Sequence, residues 1–378
     1  MFATLFLSTF LLAADTETEV REHAFELVAQ LGHKSFKFRE KASDEIGRIG
    51  SAALEPLRKG IVHPDTEIAE RCRKLLPHAL DCRMREQIEV FLAKPECPLP
   101  ADLPAIQRWL KVVGTGKESR ELYALLVREQ RRILVEVEQS PEKAGDRYYA
   151  FCADVYSRTR IGTVESRKEI VSYSDLILFL FLGSDPNCRK GSSTSTSTAC
   201  LQANVFLNSS YTTAMLSGAT ANDATKKIFL SWLEQERYHQ TARRGFQLAA
   251  SAEMKEAVPV AIRVASDPTA LQTVRSYALL GSARLFGPEH IKLLEPLMED
   301  KTPVGRIAAN ADSLRTEMRD IALGIAIHAT GQKAADYGYD RFRDNQFGTT
   351  SYYYYAMNDA KREAALKMWS EWVAKQKK

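Results

Sequence analysis

Apolar residues recur at helical spacing between Phe36 and Pro77. The first apolar stripe predicts an amphipathic helix that Gly50 ends, and a second stripe begins just after this glycine. A third helix is predicted to begin after an Asp65 N-cap and to end at Pro77. Helices this short are unstable alone and must bury their apolar faces on one another. The stripes are Phe38, Ala42, Ile46 and Ile49; Ala53, Leu54, Leu57 and Ile61; and Ile68, Cys72, Leu75 and Leu76.

The same helical period continues through most of the chain, which predicts an all-α fold. A capping box of Thr115 and Glu118 is predicted to begin a long helix, and Asn222 to cap a later one. The run 176–182 is apolar throughout, so its period cannot separate a buried strand from a buried helix, and its helical neighbours favour a helix. The last predicted helix turns one face inward: Ala364, Ala365, Met368, Trp369 and Trp372.

Turn-forming and low-complexity segments predict the domain organisation. A proline-dense stretch predicts a linker, and a Ser/Thr-rich stretch predicts a loop. The predicted parts are helical repeats at 15–93, the linker at 94–104, a middle helical domain at 105–240 with the loop at 191–198, and C-terminal repeats with a capping helix at 241–378.

The tetrapeptide Leu-Glu-Pro-Leu occurs at 54–57 and again at 294–297, each time after a helix that an arginine begins. A further helix of this kind begins at Arg319, 44 residues after Arg275. These segments resemble the HEAT-like (armadillo-type) repeats of α-solenoids, and the two ends of the chain are similar to a group of exported bacterial proteins with HEAT-like ends and no assigned function. The resemblance implies α-solenoid-like repeats at both ends and a role in binding or scaffolding, because solenoids present extended surfaces. The middle segment departs from the repeat pattern, which leaves open whether the repeats form one superhelix.

The N-terminus carries an apolar run from Phe2 to Ala14 that ends in small residues. This length suits a signal-peptide core and is too short to span a bilayer, although no Lys or Arg precedes it. We therefore expect a signal peptide at 1–14 and an exported, periplasmic or secreted protein; a mis-assigned start or an N-terminal core helix is the alternative. No later run is long enough for a membrane helix, so the mature chain is expected to be soluble.

Composition adds little to this picture. The 378 residues include 52 basic and 48 acidic side chains, and this near balance argues against nucleic acid as a partner. Six cysteines are too few for a disulfide scaffold. Cys188 and Cys200 bracket the Ser/Thr loop and are predicted to form a disulfide; Cys82 with Cys97 is the next candidate pair, and Cys72 is expected in the core.

One Glu–His pair and two clusters of arginines are candidates for a metal site or an anion-binding site. Glu236 and His239 have the Glu-x-x-His spacing of di-iron sites on one predicted helix, but no second copy exists, which favours a solvated charged face. Two basic clusters could bind an anion, but glutamates alternate with them, which favours salt-bridged helix faces. The clusters are Arg237, Arg243 and Arg244, interleaved with Glu234 and Glu236, and Arg128, Arg131 and Arg132, interleaved with Glu129.

Aromatic residues are most concentrated near the C-terminus, where they predict either a recognition patch or a cap on the last repeat. No nucleophile elbow, zinc motif or phosphate-binding glycine loop occurs, so we predict no catalytic, cofactor-binding or metal-ligating residue and no cofactor. The sequence favours a non-enzymatic scaffold of the cell envelope that binds an unidentified protein partner; an enzyme with a site between the middle and C-terminal helices is the alternative. The candidate patch is Tyr352, Tyr353, Tyr354, Tyr355, Trp369 and Trp372.

Overall fold

Helices form almost all of the structure, a computed structural model, and its sheet within the described residues is a single pair of strands. The all-α class is therefore confirmed. The chain divides into two compact units, Met1–Leu103 and Pro104–Lys378. The predicted signal peptide and residues 94–101 of the predicted linker lie outside the described residues. The structure describes residues 18–93, 102–161, 171–190, 196–218, 220–309, 312–342 and 351–376.

The described residues of the first unit form four α-helices whose apolar faces meet in one core. Gly50 has a φ of 67°, which explains why α2 ends there. The Asp65 carboxylate accepts the backbone N–H of Glu67 at 2.8 Å, so the predicted N-cap is confirmed. The helices are α1 (18–30), α2 (Phe36–Ile49), α3 (Leu54–Gly60) and α4 (Thr66–Ala93).

Two predictions for this unit were wrong. Phe38 is 53% exposed, so the buried face of α2 consists of Ala42 and Ile46 without it. Helix α4 does not end at Pro77 but continues to Ala93. Pro77 lies on the exposed face of α4, where water can satisfy the carbonyl that the proline leaves without a donor.

The second unit surrounds a buried helix, α8, which confirms the helical interpretation of 176–182. Ser172 and Asp175 cap its start reciprocally, each side chain accepting the other residue's N–H at 3.0 Å. Phe179 stacks on Phe206, with ring centroids 4.3 Å apart. The helices up to α11 are α5 (Ile106–Val113), α6 (Lys117–Gln139), α7 (Ala144–Ile161), α8 (Tyr173–Gly183), α9 (Thr196–Leu207), α10 (Ser210–Ser217) and α11 (Asp223–Gln235).

The helix caps and the loop predicted for this region are partly confirmed. Asn222 caps α11, as predicted, and its side chain accepts the N–H of Thr225 at 3.0 Å. The capping box of Thr115 and Glu118 is wrong, because Gly116 is the N-cap of α6 and no side chain caps that end. The predicted loop 191–198 is wrong over its last three residues, which begin α9; residues 191–195 lie outside the described part.

The rest of the second unit combines helices with a hairpin that the sequence did not indicate. Its strands pair antiparallel, and Met357 pairs with Arg315 along the second strand. The boundary predicted between 240 and 241 lies within the first turn of α12. The elements are α12 (His239–Ser251), α13 (Ala257–Ser266), α14 (Gln272–Ser282), α15 (Ile291–Leu294), a 3-10 helix at Glu295–Glu299, β1 (Pro303–Ala309), β2 (Asp312–Glu317), α16 (Met318–Ala329), a 3-10 helix at Tyr352–Tyr355, and α17 (Asp359–Gln376).

Candidate functional site

A groove of about 600 Å³ runs along helix α17, which we call the C-terminal groove. The 3-10 helix Glu295–Glu299 contributes to its lining, and so does one face of α17. Trp369 lines it and is 5% exposed. The apolar lining residues are Met298, Leu366, Trp369 and Val373, and the charged ones are Glu295, Glu299, Lys301, Arg319, Glu363 and Lys367.

The position of α17 depends on Arg362, which is fully buried near the start of that helix. Its guanidinium donates to both carboxylate oxygens of Asp320, at 2.7 and 3.0 Å. It also donates to the backbone carbonyls of Arg315 at 3.0 Å and Met357 at 3.2 Å. A single buried cation thus joins α17 to α16 and β2, and it fixes the α17 side of the groove.

The charges along the C-terminal groove fall into two kinds. Arg319 donates to Glu317 at 2.6 Å and to Glu363 at 3.3 Å, so its charge is compensated. Glu295, Glu299, Lys301 and Lys367 are exposed and have no ion-pair partner within the described residues. The groove therefore offers an apolar surface flanked by two unpaired carboxylates and two unpaired lysines.

The predicted aromatic patch separates into two groups. Tyr355 is fully buried and makes edge contacts with Tyr339 and Phe342, which is a packing role. Tyr352 lies against Gly305 of β1, and a Cβ at this glycine would approach the tyrosine ring to 2.3 Å, so the glycine is needed for this close contact. Tyr353 is 44% exposed, and Tyr354 is half-buried.

The second group lies on α17, where Trp369 and Trp372 stack with ring centroids 5.1 Å apart. Trp369 alone of the predicted patch residues lines the C-terminal groove. The predicted inward face of α17 was partly wrong, because Met368 is 42% exposed and Ala364 is also exposed. The buried positions are Arg362, Ala365 and Trp369.

Glu236 and His239 do not share a helix. Helix α11 ends at Gln235 and α12 begins at His239, so Glu236 lies in the extended link between them. The prediction of a solvated face is wrong for Glu236, which is fully buried 3.2 Å from Arg189. Its other carboxylate oxygen accepts the N–H groups of Arg237 and Tyr238, both at 2.9 Å. Glu236 thus compensates a buried cation and orients the start of α12.

The salt-bridged interpretation of the basic clusters is correct for some arginines and wrong for others. Arg132 approaches Glu136 at 3.8 Å, and Arg237 approaches Asp267 at 3.8 Å. Arg243 and Arg244 have no carboxylate partner among the described side chains. Of the remaining members, Arg128 and Arg131 have partners, and Glu129 accepts the Ser174 hydroxyl at 2.6 Å.

Cys188 and Cys200 are both buried free thiols, so the disulfide predicted between them is not formed in this structure. Cys188 lies beside the Arg108 guanidinium, whereas Cys200 lies beside the backbone of Thr241. Cys72 is buried in the core, as predicted, and Cys97 of the other candidate pair lies outside the described residues.

We expect these thiols to resist alkylation in the folded protein. Burial raises the pKa of Cys188 to about 11 and that of Cys152 to about 12, and it also raises the pKa of Cys200. Because only thiolates react, iodoacetamide at about pH 8 should leave all three unmodified. After denaturation without a reductant, mass spectrometry should find all three alkylated. If Cys188 and Cys200 react only after reduction, a disulfide joins them in the protein as isolated.

Other kinds of site are not indicated by the described residues. No group of three or more His, Cys, Asp or Glu side chains in these ranges is placed to hold a metal ion. No helix of the described chain combines the length and apolar character needed to cross a membrane. Comparisons with protein-family models, curated proteins and solved structures found no match. The HEAT-like relationship therefore stays a prediction from the sequence.

Most of the C-terminal groove was missed in the sequence. Leu366, Trp369 and Val373 recur at i, i+3 and i+7, which is a helical stripe that could have been found. The sequence instead predicted that the neighbouring stripe through Met368 faces inward. A charged residue such as Arg362 is not expected at a buried position, so the stripe that contains it was not predicted. No sequence pattern connects Glu295 and Glu299 with the groove, since they lie beside α17 only in the folded chain.

Proposed function

We propose that this protein is a non-enzymatic interaction protein of the cell envelope that holds a segment of a partner protein in the C-terminal groove. The observation that carries the proposal is a groove of about 600 Å³ in which the half-buried Leu366 and Val373 leave apolar surface open to a partner. Side chains that fill well-packed pockets at the centre of an interface contribute much of the binding energy. Cavities of this volume also match those that enclose ligands. The apolar run at Phe2–Ala14 supports the envelope location.

The chemistry of the groove indicates which partner segment it fits. Met298, Leu366 and Val373 favour an aliphatic or aromatic anchor beside Trp369. The unpaired carboxylates of Glu295 and Glu299 favour a Lys or Arg next to that anchor, because charge complementarity at an interface gives specificity. The unpaired Lys301 and Lys367 can in addition pair with an acidic residue elsewhere in the segment. We therefore propose a peptide segment in which a large apolar residue is followed or preceded by a basic one.

A HEAT-like architecture at both ends is part of the same proposal. The last leucine of the repeated Leu-Glu-Pro-Leu segment is buried in both copies, as Leu57 and Leu297, whereas the proline is buried in the first copy and exposed in the second. Arg275 and Arg319 lie in the first turns of α14 and α16; they are 8% and 7% exposed, and both are held by carboxylates. This common use of a buried arginine at a helix start supports the repeat interpretation.

We expect selection from a displayed random peptide library to enrich segments with a large apolar residue next to Lys or Arg. Fluorescence anisotropy should then show that Glu299→Lys weakens the selected peptides by at least about tenfold, because one ion pair is replaced by repulsion. Glu371→Lys makes the same charge change on an exposed position of α17 outside the groove lining and should leave binding unchanged. No enrichment, or equal losses in both variants, would count against the proposal.

A further inference from the structure

A second cavity of about 400 Å³ lies among helices α9, α12 and α14, which we call the α12 pocket. Three basic side chains of α12 line it: His239, Arg243 and Arg244. None of the described side chains in its lining is a carboxylate. A cavity lined in this way concentrates hydrogen-bond donors with positive charge.

Nearby carboxylates do not neutralise this charge, because each already has another partner. Glu234 accepts two hydrogen bonds from Arg263, at 2.6 and 3.0 Å. Glu236 is buried beside Arg189. The Nε of Arg244 is buried and has no hydrogen-bond acceptor in the described structure. The pocket therefore carries an excess of positive charge that an anion would balance through charge-assisted hydrogen bonds.

An aromatic ring holds two of the basic groups in place. The His239 ring stacks on Tyr277 of α14, with centroids 6.2 Å apart and planes 18° apart. The Arg243 guanidinium lies 5.6 Å from the centre of the same tyrosine ring. Groups ordered before binding lose less conformational freedom on binding, which favours affinity for a ligand that both can reach.

The rest of the lining consists of amides, and it indicates what accompanies the negative charge. Asn204 of α9 and Asn208, which directly follows that helix, contribute from one side, and Gln240 and Gln247 contribute from α12. Each amide offers both donors and an acceptor, which suits ligand hydroxyl groups. No aliphatic side chain is found among the described lining residues. We propose that the α12 pocket binds an anionic sugar, one that carries a phosphate or a carboxylate.

This pocket lies between helices that the sequence assigned to the middle and to the C-terminal region. The alternative function predicted from the sequence is an enzyme whose site lies between these two groups of helices. A lining of arginines and amides supports recognition of a charged, hydroxylated ligand, and it does not by itself supply an acid–base pair of carboxylates. The inference is independent of the C-terminal groove, since the two cavities share no lining residue.

Titration calorimetry of the full chain tests the proposal with glucose 6-phosphate, glucuronate, glucose and inorganic phosphate. We expect binding by at least one of the two sugar anions, and binding at least about tenfold weaker for glucose and for phosphate alone, because each lacks half of the contacts. Arg243→Gln and Arg244→Gln should each weaken the sugar anion by at least about tenfold. Arg58→Gln removes the same charge from an exposed position of α3, outside the pocket lining, and should have no effect.

Four results would overturn the proposal. The first is no measurable binding of either sugar anion, and the second is phosphate binding as tightly as glucose 6-phosphate. The third is glucose binding as tightly as the sugar anions, and the fourth is equal weakening in Arg58→Gln. The melting temperature of each variant, measured in parallel, separates loss of the pocket from loss of the fold.

Discussion

Replacing the buried Arg362 by methionine should destabilise the second unit by about 3–5 kcal/mol, the loss expected when one partner of a buried charge pair is removed. Methionine fills much of the volume but leaves the Asp320 carboxylate, which is 1% exposed, without its bidentate donor. It also leaves the carbonyls of Arg315 and Met357 without the guanidinium. Urea unfolding followed by tryptophan fluorescence measures the change, because all four tryptophans lie in this unit.

The adjacent Lys361 is the matched control for Arg362. Its ion pair with Asp340 is exposed, so Lys361→Ala should cost less than about 1 kcal/mol. Adding Asp320→Asn to Arg362→Met should restore part of the lost stability, because the uncompensated charge is then absent. Equal effects of the two single variants would show that Arg362 does not anchor α17.

The loss in Arg362→Met should also depend on pH. Burial raises the pKa of Asp320 even though Arg362 acts in the opposite direction, so removing Arg362 should raise this pKa further. A carboxyl whose folded pKa exceeds its unfolded pKa contributes stability that is present at low pH and is lost as pH rises through the folded pKa. The difference between wild type and variant should therefore be smallest near about pH 4 and largest at neutral pH. A pH-independent difference would indicate a loss of packing alone.

The second large effect concerns Glu236, and we expect Glu236→Ala to destabilise the same unit by about 3–5 kcal/mol. The substitution leaves the Arg189 guanidinium without its counter-ion, on a side chain that is 10% exposed. It also removes the acceptor for the N–H groups of Arg237 and Tyr238. Urea unfolding gives the magnitude, and a double-mutant cycle with Arg189→Met should give a coupling energy well above the error, because the two groups form one buried pair.

Glu234, two residues earlier, provides a close comparison for Glu236. Its pair with Arg263 is partly exposed, so Glu234→Ala should cost less than about 1 kcal/mol. The two variants delete the same side chain from neighbouring positions, and they differ mainly in burial. If the losses are similar, or if the Glu236 and Arg189 effects simply add, the buried pair is not what stabilises this region.

Much of the candidate site could not be predicted because it depends on partners far apart in sequence. Arg362 and Asp320 are 42 residues apart, and no periodicity connects them. The aromatic concentration near the C-terminus was visible in the sequence, but it did not distinguish Tyr355, which packs inside, from Trp369, which lines a groove. The basic residues of α12 were visible too. Which of them lack a carboxylate depended on the fold, in which Glu234 pairs with Arg263 and Glu236 with Arg189.

The sequence by itself determined the all-α class and many helix limits, because these depend on local chemistry. Gly50 ends a helix through its positive φ, and Asp65 and Asn222 begin helices through side chains that accept nearby N–H groups. The tertiary structure alone decided whether a charged residue is solvated or buried. The residues next to Arg362 and Glu236 in the sequence are those of a solvent-exposed helix surface. Both side chains are nevertheless fully buried in the fold, because each meets an opposite charge contributed by a distant element. The two cavities arise in the same way, from faces of helices that meet only when the chain folds.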